Sequence, residues 1–282
     1  MFSKFTAVGS VFLISLSINL FLVSCGGGQK ENTEPDDVEV TKDTISSQVR
    51  VNFDLIRVNI PSPGELSQKL SASKIAYNKN FLLSPSSASS FSSNYQKAIG
   101  LGALASDLGF AADYNQNQDA LDYLDQIKKL TVDLGISDAF DMEFSKKLLS
   151  KIGNADSFQV MFDKAFDKAE RNLRSNQRVS TTILVIAGGW VEGLYTTLEA
   201  ISAKQSGVDA SVYLGINKHC HGFEYVFQLL DAYKSNSDCA KFLGEIEPYR
   251  ATILSYGKRK WEKEELPKLR ETVTALRNKI IK

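Results

Sequence analysis

Residues 98–109 read Ala98-Ile99-Gly100-Leu101-Gly102-Ala103-Leu104-Ala105-Ser106-Asp107-Leu108-Gly109, and the role given to the glycines decides the fold. Gly100-x-Gly102-x-x-Ala105 has the spacing of the turn that cradles pyrophosphate in dinucleotide-binding folds. That turn must follow a strand and open a helix, so that free amides face the phosphates. Here Tyr95, Ala98, Ile99, Gly102, Ala105, Leu108, Gly109 and Ala112 fall mostly at spacings of three and four, which puts the glycines inside a helix. Each interior Gly disfavours a helix by about 1 kcal/mol relative to Ala. Close approach of a neighbouring backbone offsets such a loss. Ala187-Gly188-Gly189-Trp190-Val191-Glu192-Gly193 has the same character, with Gly189 and Gly193 leaving a groove. These two helices are expected to cross each other, or each to receive a large aromatic from elsewhere.

Helical spacing extends outward from both stretches. Ser62, Pro63 and Glu65 supply cap, first-turn and capping-box residues for a short helix to about Lys74. Ser84-Pro85 leads into the glycine helix. The next helix starts near Gln116 and ends at Gly135. Asp138 or Asp141 caps a short helix around Phe144–Ile152, and Asn154 or Asp156 starts one carrying Phe158, Met161, Phe162, Phe166 and Ala169. Further helices are expected over about 180–204, around Phe223–Tyr233, over about 238–256 and after Pro267. Only Val51, Phe53, Leu55, Val58 and Ile60 alternate as an extended lead-in would. The expectation is all-α, a bundle of antiparallel helical hairpins. Leu108-Gly109, Tyr114, Ala120, Leu121 and Tyr123 look like one tetratricopeptide-type hairpin around residues 95–135, with two extra residues between Gly109 and Tyr114 and no second repeat.

The N-terminus carries the one stretch with a specific chemical reading. Lys4 is followed by an uncharged apolar run, about Val11 to Val23, too short to span a bilayer, which takes about 20 residues. Leu22-Val23-Ser24-Cys25 then resembles the lipobox of bacterial lipoproteins. The resemblance implies a signal peptide over 1–24, lipidation of the Cys25 thiol and acylation of the new α-amine. Two or more chains hold a protein stably where one does so only marginally. Gly26 stands where inner-membrane retention places Asp, so the expected address is the outer membrane, periplasmic face or cell surface. Residues 25–48 read as a disordered acidic linker, rich in Glu and Asp and poor in large apolar residues. Residues 49–282 read as a single all-helical domain.

Without Lys4 the mature chain has 32 basic against 33 acidic side chains, which argues against nucleic acid as a partner. The charged run from Lys258 is broken by Glu262, Glu264 and Glu265 and reads as a solvated face. Only His219 and His221 are present, and no Ser-His-Asp set, H-E-x-x-H or phosphate-binding loop can be picked out. His219-Cys220-His221 and Cys239 lack zinc-ligand spacing, so no metal is expected. About 14 helical residues between Cys220 and Cys239 would hold them about 20 Å apart, too far for a disulfide. No cofactor is expected.

Asp107 and Glu192 each lie near the glycines of their helices. With Tyr114 and Trp190 they are the candidates for a ligand cleft. The plainer expectation is that each acid is satisfied by a nearby hydroxyl or is half-exposed. Two carboxylates about 5–9.5 Å apart in an open pocket would instead suit glycosidase-type chemistry. Ile60-Pro61-Ser62-Pro63, the Ala98–Gly102 helix through Tyr114, and Gly188-Gly189-Trp190-Val191-Glu192 resemble a group of all-helical bacterial envelope lipoproteins without an assigned activity. The function expected from these readings is a lipid-anchored, non-catalytic binding or scaffold module. Its partners would be the membrane, through the lipid, and a peptide, glycan or protein held between helices. The alternative is a polar-ligand binder or carboxylate enzyme using Asp107 and Glu192.

Overall fold

Residues 179–203 contain so many apolar and small side chains that no face is left for water, and a helix of that kind must sit inside the fold. In the computed structural model it does. The structure describes residues 53–137, 142–151, 154–175, 178–204, 207–258 and 263–281. The expected signal segment, Cys25, the expected acidic linker, the expected caps at Asp138 and Asp141, and part of the charged run from Lys258 lie outside them. Among the described residues every regular element is a helix.

The helices are α1 (Pro63–Ala72), α2 (Asn94–Asp113), α3 (Asn117–Asp133), α4 (Met142–Leu149), α5 (Ala155–Ser175), α6 (Val179–Ala203), α7 (Ala210–Ala232), α8 (Ser237–Lys258) and α9 (Leu266–Ile280). Along α6 only Thr181, Tyr195, Glu199, Ser202 and Ala203 escape burial. It packs against α1, α2, α5, α7, α8 and α9, and is the axis of the bundle. Around it α2 also meets α1, α3 and α5, while α8 packs against both α7 and α9.

Local chemistry sets the helix ends. Ser93 and Gln96 form a reciprocal capping box that starts α2, with the Gln96 amide donating to Ser93 Oγ at 3.2 Å. Asn154 Oδ1 accepts from the Ser157 amide at the start of α5. Gly135, at φ +64°, stops α3 in the left-handed conformation that glycine adopts without penalty. Pro63 and Pro267 stand in the first turns of α1 and α9, where the missing N–H is not needed.

Two local expectations fail. The alternating segment near Phe53 is a helical turn at 53–57 rather than an extended lead-in. Phe53 and Ile60 are buried while Leu55 and Val58 stay exposed, so the spacing that counted was three to seven, not two. Ser62 precedes α1 but makes no side-chain cap bond. Glu65, expected to reach back to it, instead accepts from Lys218 of α7 at 2.8 Å.

The glycines do what their helices require. A Cβ added to Gly102 would lie 2.7 Å from the Gly189 nitrogen and 2.9 Å from the Val185 carbonyl carbon. One added to Gly188 would lie 2.9 Å from the carbonyl carbon of Ile99. Backbone therefore meets backbone where α2 crosses α6. Gly100 takes the other expected route and receives the Phe91 ring. Gly100–Ala105 lies in mid-helix, so the dinucleotide-turn spacing has no structural counterpart.

Candidate functional site

The α2–α6 crossing separates two environments, one sealed and one open. On the sealed side α2 brings in Asp107 and α6 brings in Glu192, both fully buried. Asp107 Oδ2 accepts from the Leu83 amide at 2.8 Å, and the Leu83 carbonyl accepts from the Tyr123 hydroxyl at 2.8 Å. The loop before α2 is thus pinned at both backbone groups of Leu83. Glu192 accepts a two-pronged contact from Arg277 of α9, Nε and Nη2 each at 2.7 Å, while the guanidinium lies over the Tyr195 ring. Such a fork suits a planar carboxylate.

This cluster holds two acids and one base. Burial, and then the Glu192 carboxylate, push Asp107 well above the usual carboxylate range; the Leu83 amide and Arg277 oppose this less strongly. Burial pushes Glu192 up as well, and Arg277 pulls it back. Glu192 thus forms the ion pair with Arg277, and Asp107 is the acid driven further toward its neutral form.

The other two candidates lie elsewhere. Trp190 faces α7: its indole N–H donates to the His219 carbonyl at 3.2 Å, and its ring stacks on His219 and Phe223. His219 Nε2 in turn donates to the Trp190 carbonyl at 2.9 Å. Burial pulls the His219 ring down to about 4, so it stays neutral. Tyr114 sits among Phe110 and Tyr77 beyond the end of α2. Asp107 and Glu192 share one cluster; Trp190 and Tyr114 are not part of it. Cys25 lies outside the described residues. Cys220 and Cys239 are buried and are not joined in a disulfide.

On the open side, the small residues of α2 and α6 face α5 and leave a groove of about 300 Å³. Gly102, Ala105, Ser106 and Gly109 form one wall, Val185, Ile186 and Gly189 a second. Phe162, Asp163 and Asp167 of α5 close the third, and Arg57, Ile60, Pro61, Ser62 and Gly64 lie across one end. A Cβ added to Gly109 would meet nothing within 4 Å, so this glycine, unlike Gly102, is not demanded by packing. A second cavity of about 20 Å³, with an apolar lining surface, shares Ala105, Phe162 and Val185 with the groove. Thr182 is in its wall; it is 1 % exposed, and its hydroxyl has no hydrogen-bond partner among the described residues.

None of Asp107, Tyr114, Trp190 and Glu192 lines the groove. Sequence reading missed Phe162, Asp163 and Asp167 as site residues, because their helix reads as an ordinary amphipathic one. The spacing Gly102-Ala105-Gly109 was the available signal, since three small residues on one face leave either a close contact or a gap. No family model, curated protein or solved structure matches this chain.

Proposed function

We propose that this protein is a lipid-anchored binding module of the bacterial outer membrane, and that the groove between α2, α5 and α6 holds its ligand. The observation that carries this reading is the bare wall at Gly109. A glycine that packing does not require weakens α2 by about 1 kcal/mol, and the space it leaves has the size of a small-ligand site. Asp107 and Glu192 are read as structural partners of Leu83 and Arg277, not as catalytic groups. The helices are read as antiparallel hairpins around α6, with α2 and α3 the tetratricopeptide-like pair.

The test uses 1-octanol as a neutral apolar probe of the delipidated mature domain, followed by amide and methyl chemical shifts. Saturable shifts at Ala105, Gly109 and Val185 support the reading. Gly109→Phe projects into open space, so it should fold and abolish them. Absence of binding, or octanol binding unchanged in Gly109→Phe, refutes the groove as the site.

A further inference from the structure

Helix α8 has a weak point in its middle. Pro248 lies inside it, and Gly244 stands one turn before. Pro248 has no N–H to give the Gly244 carbonyl, and its ring crowds that carbonyl. Both residues are exposed, and a Cβ added to Gly244 would meet nothing within 4 Å. Two residues that disfavour a helix thus stand one turn apart on its solvent face, and no neighbour requires the glycine.

The two halves of α8 are tied to different elements. Before Pro248, the Tyr95 hydroxyl of α2 donates to Glu245. Lys241 Nζ lies 4.0 Å from the centre of the Tyr95 ring, and Phe242 packs on that ring at 6.4 Å. After Pro248, Arg250 pairs with Glu224 of α7 at 3.0 Å and covers the Phe227 ring. Asn217 of α7 donates to the Tyr256 carbonyl at 2.7 Å, and the Tyr256 hydroxyl donates to the Glu265 carbonyl at 2.8 Å. A Cβ added to Gly257 would lie 2.6 Å from the His221 Cα and 2.8 Å from the Cys220 carbonyl carbon, so this half meets α7 backbone to backbone.

We infer that residues 237–247 form a hinged flap, which opens as a unit about Pro248 while the rest of α8 stays packed on α7 and α9. The turn at 233–236 supplies the other pivot. In the open state Pro248 begins a helix instead of interrupting one, and there a proline is tolerated. Opening bares Cys239, Phe242 and Ile246, each 0 % exposed when closed, together with the Tyr95 ring. Such units open at lower free energy than the whole fold. Each side of the hinge holds a buried thiol as reporter: Cys239 in the flap, and Cys220 on α7 behind the second half.

The experiment follows alkylation of both thiols by iodoacetamide in native buffer, resolved by peptide mass spectrometry. It uses residues 25–282 carrying Cys25→Ser, a span that holds every described contact. Cys239 should react at least about tenfold faster than Cys220, because only Cys220 waits for global unfolding. Arg250→Ala removes ties of the second half alone; it should speed Cys220 at least about threefold and leave Cys239 unchanged. Pro248→Ala, at an exposed position, should slow Cys239 about tenfold or more. Equal rates for the two thiols, or Arg250→Ala speeding both alike, would make α8 part of one cooperative unit and overturn the inference. An unchanged Cys239 rate in Pro248→Ala overturns it too, since fraying of the first turn alone would then expose the thiol.

Discussion

Replacing Gly102 by alanine adds one methyl group to a helix, and by local propensity alone it should stabilise α2 by about 1 kcal/mol. Its surroundings reverse the sign. The new Cβ would stand 2.7 Å from the Gly189 nitrogen and 2.9 Å from the Val185 carbonyl carbon, and both are backbone atoms. A side chain can rotate away, but a helix backbone cannot. Relief requires α2 and α6 to separate along their whole contact, the main seam of the bundle. Overpacking of a core ordinarily costs about 1–3 kcal/mol, and immovable neighbours put this site at the top of that range. Subtracting the propensity gain leaves a net loss of about 2 kcal/mol. For a domain of this size that lowers Tm by about 4–8 °C. Gly109→Ala is the matched control: it makes the same chemical change in the same helix with nothing within 4 Å, and should raise stability by about 1 kcal/mol. Thermal and urea unfolding followed by far-UV circular dichroism measure both. A Gly102→Ala protein as stable as its parent would refute the backbone contact at the crossing.

The Glu192–Arg277 pair offers a second test: Arg277→Ala should cost about 3–5 kcal/mol by urea denaturation, since it strands a buried carboxylate beside a second acid. Asp107 has its folded pKa raised above the ordinary 3.8, so its contribution is complete below that value and is lost as pH rises through the folded pKa. Asp107→Asn, which keeps an acceptor for the Leu83 amide, should flatten the decline in stability above pH 3.8 and leave neutral-pH stability equal or higher. His219, pulled down to about 4 by burial, should show no imidazole titration by NMR between pH 5 and 8, and a midpoint near 6.5 would contradict its packing on Trp190. Cys25→Ser should abolish incorporation of radiolabelled fatty acid and release the protein from the outer-membrane fraction; continued labelling would remove the lipid anchor from the proposal.

Helix identity was legible because apolar spacing is a local property. The glycines of α2 and α6 announced a crossing, since a residue that weakens its own helix must be offset across an interface. Two events fell outside local reach. Arg277 meets Glu192 across 85 positions, so nothing near Glu192 signals a partner. Phe53 and Ile60 look like half of an alternating strand, but with no strand to pair with, burial chose the helical spacing. The candidate cleft residues divide between two places. Asp107 and Glu192 do converge, yet Trp190 is rotated about 200° from Glu192 on the same helix and faces α7. The groove formed instead on the face where Gly102, Ala105 and Gly109 were read only as packing residues.

The burial of α6 also bears on the order in which the chain can fold. Its partners come from both sides in sequence: α1, α2 and α5 precede it, and α7, α8 and α9 follow. Until residues 266–280 arrive, Glu192 has no counter-charge and one flank of α6 is open to solvent. A nascent chain thus has no early stopping point at which its core is complete. Truncation before α9 should yield an aggregation-prone, protease-sensitive product rather than a smaller stable domain. Contacts of such long sequence separation also favour slow folding. For the envelope protein proposed above, which would cross a membrane as an extended chain, α9 would be a keystone that is seated last.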